Sequence, residues 1–133
     1  MPTLNDHSET VTEGIRVRVL PRYLPEHSDP EANRFVFGYR ITIENEGDET
    51  VQLLTRHWII TDSTGKVTEV KGEGVVGKQP VLEPGESFEY MSGSRMESPM
   101  GTMHGTYQMV GHDGEPFDIE IPAFTLAVPG AIN

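Results

Sequence analysis

Hydrophobic residues recur at every second position in several separate stretches of this chain. From Val11 onward, Ile15, Val17 and Val19 fall on one side of an extended backbone and Arg16 and Arg18 on the other, the period of a half-buried strand. Pro21 and Pro25 are expected to end it. Residues 25–33 are polar and punctuated by proline, so they read as a loop whose acidic side chains face water. Phe35, Phe37, Tyr39, Ile41 and Ile43 then mark the clearest strand, rich in aromatic and β-branched side chains.

The short polar segment Asn45-Glu46-Gly47-Asp48-Glu49 reads as a hairpin connection into a strand over 51–61, and these two strands are expected to pair antiparallel. The second of them is apolar on both faces, with Leu54, Trp58 and Ile60 on one and Val51, Leu53 and Ile59 on the other. Such a strand is either central and covered twice, or it exposes a patch for a partner. Asp62-Ser63-Thr64-Gly65 is a turn by composition, and further strands follow at 66–71, 86–91 with Phe88 and Tyr90 inward, 103–110, and 117–128. Pro122 makes the last of these an edge or bulged strand.

No window repeats apolar positions at helical spacing behind a good cap, so the pattern predicts an all-β fold of about seven antiparallel strands in a two-sheet, immunoglobulin-like sandwich. Trp58, on the third of these strands, takes the place of the core tryptophan of such sandwiches. Tyr107 precedes the apolar Met109 by two residues on the sixth strand, the place of their corner tyrosine. The inter-sheet disulfide is absent, which narrows the expectation to a fibronectin type III-like sandwich.

Composition alters this picture mainly by exclusion. At 133 residues the chain is expected to form a single domain over residues 1–133, with residues 1–10 as a flexible N-terminus. It has no cysteine, which removes disulfide frameworks, thiolate nucleophiles and cysteine-ligated metals. The formal net charge of −11, with only ten lysines and arginines, argues against nucleic acid as a partner, because phosphate contacts need cations. No basic leader and no apolar run long enough to span a bilayer is seen, so a soluble, cytoplasmic protein without membrane insertion is expected.

One segment looks like a nucleotide motif. Gly72-Glu73-Gly74-Val75-Val76-Gly77 spells G-x-G-x-x-G, a dinucleotide fingerprint only where a strand feeds it and a helix leaves it. Pro80 and Pro84 forbid that helix. The segment then reads as a loop shaped by glycine, or as an anion-binding nest flanked by Lys71 and Lys78, with Glu73 opposing the second reading. For metal, His57 and His104 are the strand histidines, and by alternation each faces away from its apolar neighbours onto an outer face. Ser92, Ser94 and Ser98 lie near His104 in sequence, but no strand–elbow–helix context exposes a nucleophile, and no catalytic residue is assigned.

The segments 56–62, 72–80, 82–90, and Ser92-Gly93 through Pro99-Met100-Gly101-Thr102-Met103-His104-Gly105-Thr106-Tyr107 together resemble the ApaG (CorD) family of small bacterial proteins, over about residues 15 to 126. Met96 and Ser98 stand where leucine and threonine are expected, and Lys78 where an acidic or amide residue is common. The resemblance implies a fibronectin type III-like sandwich and a link to cobalt resistance and magnesium efflux. The same domain in eukaryotic F-box proteins and in a DNA-polymerase-interacting protein implies a protein-interaction role, and no enzymatic activity comes with the family.

The resulting expectation is a non-enzymatic module that binds a protein partner. Its surface would be built from Arg56, His57, Lys71, the loop of Gly72, Gly74, Gly77 and Lys78, and the segment 92–105. The alternative is a small-ligand protein that takes an anion or pyrophosphate at the Gly72–Gly77 loop, or a divalent cation at His57 and His104. Outside that alternative no cofactor is expected.

Overall fold

The computed structural model describes residues 7–130. Its strands are β1 (Ser8–Thr12), β2 (Ile15–Tyr23), β3 (Phe35–Asn45), β4 (Val51–Asp62), β5 (Val67–Glu73), β6 (Val81–Leu82), β7 (Ser87–Met96), β8 (Met100–Gly111) and β9 (Pro116–Ala127). No α-helix occurs among the described residues; Pro25–His27 and Pro30–Ala32 form single 3-10 turns in the expected loop. All pairings are antiparallel, in two sheets ordered β1-β2-β3-β7 and β5-β4-β8-β9, with β6 added beside the start of β4. The chain is the expected all-β sandwich.

The first expected strand is two strands. Glu13 and Gly14 both take positive φ, 51° and 81°, and turn the chain between Thr12 and Ile15, which pair. Residues 8–10, expected in a flexible N-terminus, therefore lie in β1, while residues 1–6 are outside the described residues. β2 also runs through Pro21 to Tyr23 instead of stopping. The bond from Glu46 N–H to Gly14 O sets the alternation of the β2–β3 ladder, so the odd residues of β2 turn their N–H away from β3. Among the described residues β1 pairs no further than Val19, so the N–H that Pro21 lacks would meet no described strand.

β3 and β4 do not pair, contrary to the hairpin expectation; they lie in different sheets. β3 is already flanked by β2 and β7, and Asn45 converts the connection into a crossover. Wholly buried, its Nδ2 donates to Glu49 O (2.8 Å) and Leu82 O (3.0 Å), and its Oδ1 accepts from Gly47 N–H (2.9 Å). One side chain thus satisfies the backbone of an arch between the sheets.

The two apolar faces of β4 have a single explanation. A bulge between Leu53 and Thr55 shifts the register against β8, so Val51 and Leu53 before it and Trp58 after it all point inward. Trp58 packs against Tyr39 (ring centroids 5.5 Å) and Phe124 (5.9 Å). Tyr107 is also fully buried, but not as a corner: its hydroxyl meets that of Tyr90 at 2.5 Å, linking β8 of one sheet to β7 of the other. β9 is both an edge strand and bulged, the register slipping between Met103 and Gly105 opposite Pro122.

Candidate functional site

The two sheets meet along two seams. At one, β1 lies against β9: Thr10 Oγ1 donates to Glu120 O (3.0 Å) and Glu120 N–H donates to Thr12 Oγ1 (3.2 Å). At the other, β7 and β5 are both sheet edges, and between them opens a cleft of about 370 Å³. Tyr39, Trp58 and Tyr90 wall it, Val75, Val76 and Gly77 form one rim, and Ser92, Gly93 and Ser94 form the other.

Arg56 also lines this cleft. Beyond the bulge it shares the inner face of β4 with Trp58, and it pairs across β5 with Gly72. Its Nη1 donates to Glu73 O (3.0 Å) and Gly74 O (2.8 Å), while Nε and Nη2 have no acceptor among the described residues. Among the lysines and arginines, two are partly buried. Arg16 is held by Glu9 and Glu46, whereas Arg56 has no carboxylate partner among the described residues. Burial lifts the phenols of Tyr39, Tyr90 and Tyr107 above the ordinary tyrosine range, and the charge of Arg56 pulls weakly the other way on all three. Around neutral pH these phenols remain protonated, so Tyr39 and Tyr90 bring hydroxyls rather than a base to the cleft beside the cation, and its one lining carboxylate is that of Glu73.

The glycine segment is the end of β5 plus a hairpin turn. A Cβ at Gly72 would sit 2.9 Å from Cζ, Nη1 and Nη2 of Arg56, so the missing side chain is the space in which the guanidinium lies. A Cβ at Gly74 would collide with Lys78 O. Val75 and Lys78 exchange N–H···O bonds of 2.8 and 2.9 Å around Val76 and Gly77, whose φ angles of 44° and 81° mark a type I′ turn. The amide of Gly74 is likewise taken, by Leu54 O at 2.8 Å. Three amides of the motif region therefore already have carbonyl partners.

Lys71 pairs with His57, so both leave their strands on the face opposite Arg56 and Gly72, yet all four residues, with Thr55, Glu73 and Gln108, line a second, shallower groove of about 460 Å³; Lys78 is exposed beyond the turn. His57 and His104 do share the outer face, where Ile59 lies between Glu69 and His104 in the register. His57 Nε2 is 2.8 Å from Glu69 Oε1 and so has a carboxylate for a partner. No group of three His, Asp or Glu side chains that could hold a metal occurs among the described residues. The segment 92–105 is divided between the sheets, β7 continuing to Met96 and β8 beginning at Met100; Ser92–Ser94 and Met103 line the cleft, and His104 does not.

Sequence reasoning assigned Tyr39, Tyr90 and Trp58 to the core alone and missed their part in the cleft. The available signal was parity. Arg56 and Trp58 are both even-numbered on one strand, which places a guanidinium beside the core tryptophan.

Residues 25–111 match the ApaG domain. The chain is 55% identical over 126 residues to the Protein ApaG of Dechloromonas aromatica, covering 95% of this chain and 99% of that protein. It is 59% identical over 119 residues to the Protein ApaG of Brucella abortus, covering 90% and 92%. The crystal structure of a Bordetella pertussis protein designated ApaA is similar with a TM-score of 0.85 at 51% identity, over 88% of this chain and 95% of that one. A second X-ray structure, a structural-genomics target, has a TM-score of 0.86 at 42% identity, over 93% and 94%.

Proposed function

The chain belongs to the ApaG family, and on that footing we propose that it is a non-enzymatic, cytoplasmic protein-interaction module whose working surface is the cleft between β5 and β7. Through its partner it affects divalent-cation handling, the cobalt resistance and magnesium efflux with which the family resemblance connects it. The observation that carries this reading is Arg56: a partly buried guanidinium without a carboxylate, framed by aromatic rings, is a binding group awaiting a complementary one. Protonated phenols around it favour recognition over proton abstraction. The His57–Glu69 bond and the occupied amides of the glycine turn weigh against direct capture of a metal or a pyrophosphate.

The test is complementation of a bacterial strain lacking this protein. Wild type is expected to restore cobalt tolerance and magnesium efflux and to capture a stoichiometric protein partner, and Arg56→Gln to lose both while remaining folded. Stoichiometric binding of Co²⁺ or Mg²⁺ to the isolated protein in calorimetry, unchanged in Arg56→Gln, would overturn the reading.

A further inference from the structure

The closed and open seams differ in how their strand edges are protected. The β9 edge is covered by β1 through Thr10 and Thr12, and the exposed edge of β5 carries Glu69 and Lys71. β7 has neither device along its middle. The bond from Asn45 N–H to Glu86 O fixes the alternation of its ladder with β3, so Ser87, Glu89, Met91, Gly93 and Arg95 direct N–H and C=O outward, away from β3. Between Glu89 and Arg95 this edge has no charge and no proline, and Met91 is 58% exposed.

We propose that an extended segment of the partner protein adds to the open edge of β7 and places one acidic side chain against Arg56. The proposal rests on the interaction-module reading and specifies its ligand. A strand added at the usual spacing of about 4.8 Å lies over the mouth of the cleft, and every second side chain of it points inward. The cleft is at the small end of the usual pocket range of about 300–1,000 Å³, which suits one or two such side chains. Nη1 is fixed by Glu73 O and Gly74 O, which leaves Nε and Nη2 side by side, the edge of a guanidinium that takes a carboxylate with two hydrogen bonds. The formal charge of −11 repels a generally acidic partner, so the segment is neutral or basic apart from that one carboxylate, with Glu73 at the rim to meet a flanking cation. Val76, 54% exposed on the rim, is held at a φ of 44° that a β-branched residue avoids, and backbone strain of this kind gathers at binding sites.

The probe is a library of heptapeptides with a fixed central Glu and flanks drawn from Val, Thr and Lys, beside the same library with central Gln. Trp58, the single tryptophan, lines the cleft and reports binding by fluorescence, and amide hydrogen exchange reads the β7 edge. The expected results are binding with slowed exchange at Met91, Gly93 and Arg95, a preference for Glu over Gln of at least about tenfold, and loss of that preference in Arg56→Gln. Peptides N-methylated at alternate positions should fail to bind, a control independent of the protein's folding. The proposal falls if no member binds at millimolar concentration, if Glu and Gln bind alike, or if binding leaves those amides exchanging freely. A dimeric mass in sedimentation with those amides already protected would assign the edge to a second copy. A cellular partner that binds without protecting the β7 edge would sink strand addition and leave the interaction-module reading standing.

Discussion

The guanidinium of Arg56 lies where the side chain of Gly72 would be: Cζ, Nη1 and Nη2 are each 2.9 Å from an ideal Cβ at that position. The obstructing atoms are the end of a flexible side chain, and the backbone at Gly72 is ordinary strand, so Gly72→Ala should change the stability by less than about 1 kcal/mol in urea denaturation. It should nevertheless displace Arg56 and lower partner capture as far as Arg56→Gln does. Full capture by a folded Gly72→Ala protein would show that the position of the guanidinium does not matter.

The turn at Val76-Gly77 has the backbone of a type I′ hairpin with valine where asparagine is favoured. Val76→Asn should raise the stability by about 1 kcal/mol, seen as a higher denaturation midpoint at unchanged slope. An unchanged midpoint would mean that the turn relaxes around valine at no cost.

Asn45 serves three backbone groups from a fully buried position. Asn45→Ala leaves Glu49 O and Leu82 O without their donor and should cost about 2–3 kcal/mol by thermal or chemical unfolding. Asn45→Asp should cost at least as much, because its carboxylate faces those same two carbonyls.

Alkaline pH gives a further expectation. Burial raises the native pKa of Tyr39, Tyr90 and Tyr107, so each phenol binds its proton more tightly folded than unfolded. Their contribution to stability is complete below the ordinary tyrosine pKa of about 10 and declines as the pH rises above it, because the unfolded chain ionises first. Absorbance titration near 295 nm should show these three phenols ionising together with loss of the Trp58 fluorescence of the folded state. Their ionisation near pH 10 in a folded protein would contradict the buried arrangement.

Much of this fold is written in local alternation. The inward faces of β2 and β3, the outward His57 and the proline-marked edge of β9 all follow from neighbours in sequence. What escaped depends on distant partners. That β3 and β4 separate into different sheets is decided by Asn45 reaching Leu82, 37 residues away. The bulge after Leu53 shows only as β4 slips against β8, and it is what lets Val51 and Leu53 before it and Trp58 after it all face inward. The cleft was legible in part: the reading placed Arg56 and the glycine segment together with His57 and Lys71, and these four do line one shallow groove, but His57 and Lys71 take no part in the cleft between β5 and β7. The rings of Tyr39 and Tyr90 looked like plain core because β7, which carries Tyr90 and borders the strand of Tyr39, shows no sign of lying at an open seam.

The Tyr90–Tyr107 hydroxyl pair sets a limit on everything that enters this cleft. Tyr90 is a wall of it, and its hydroxyl is tied to a residue of the opposite sheet. Prying the sheets further apart would strand two buried hydroxyls, at about 1–3 kcal/mol each. The jaws are therefore latched at the back. A ligand is sorted by what fits in front of the latch, and tighter binders must be better shaped, because a larger one cannot make itself room.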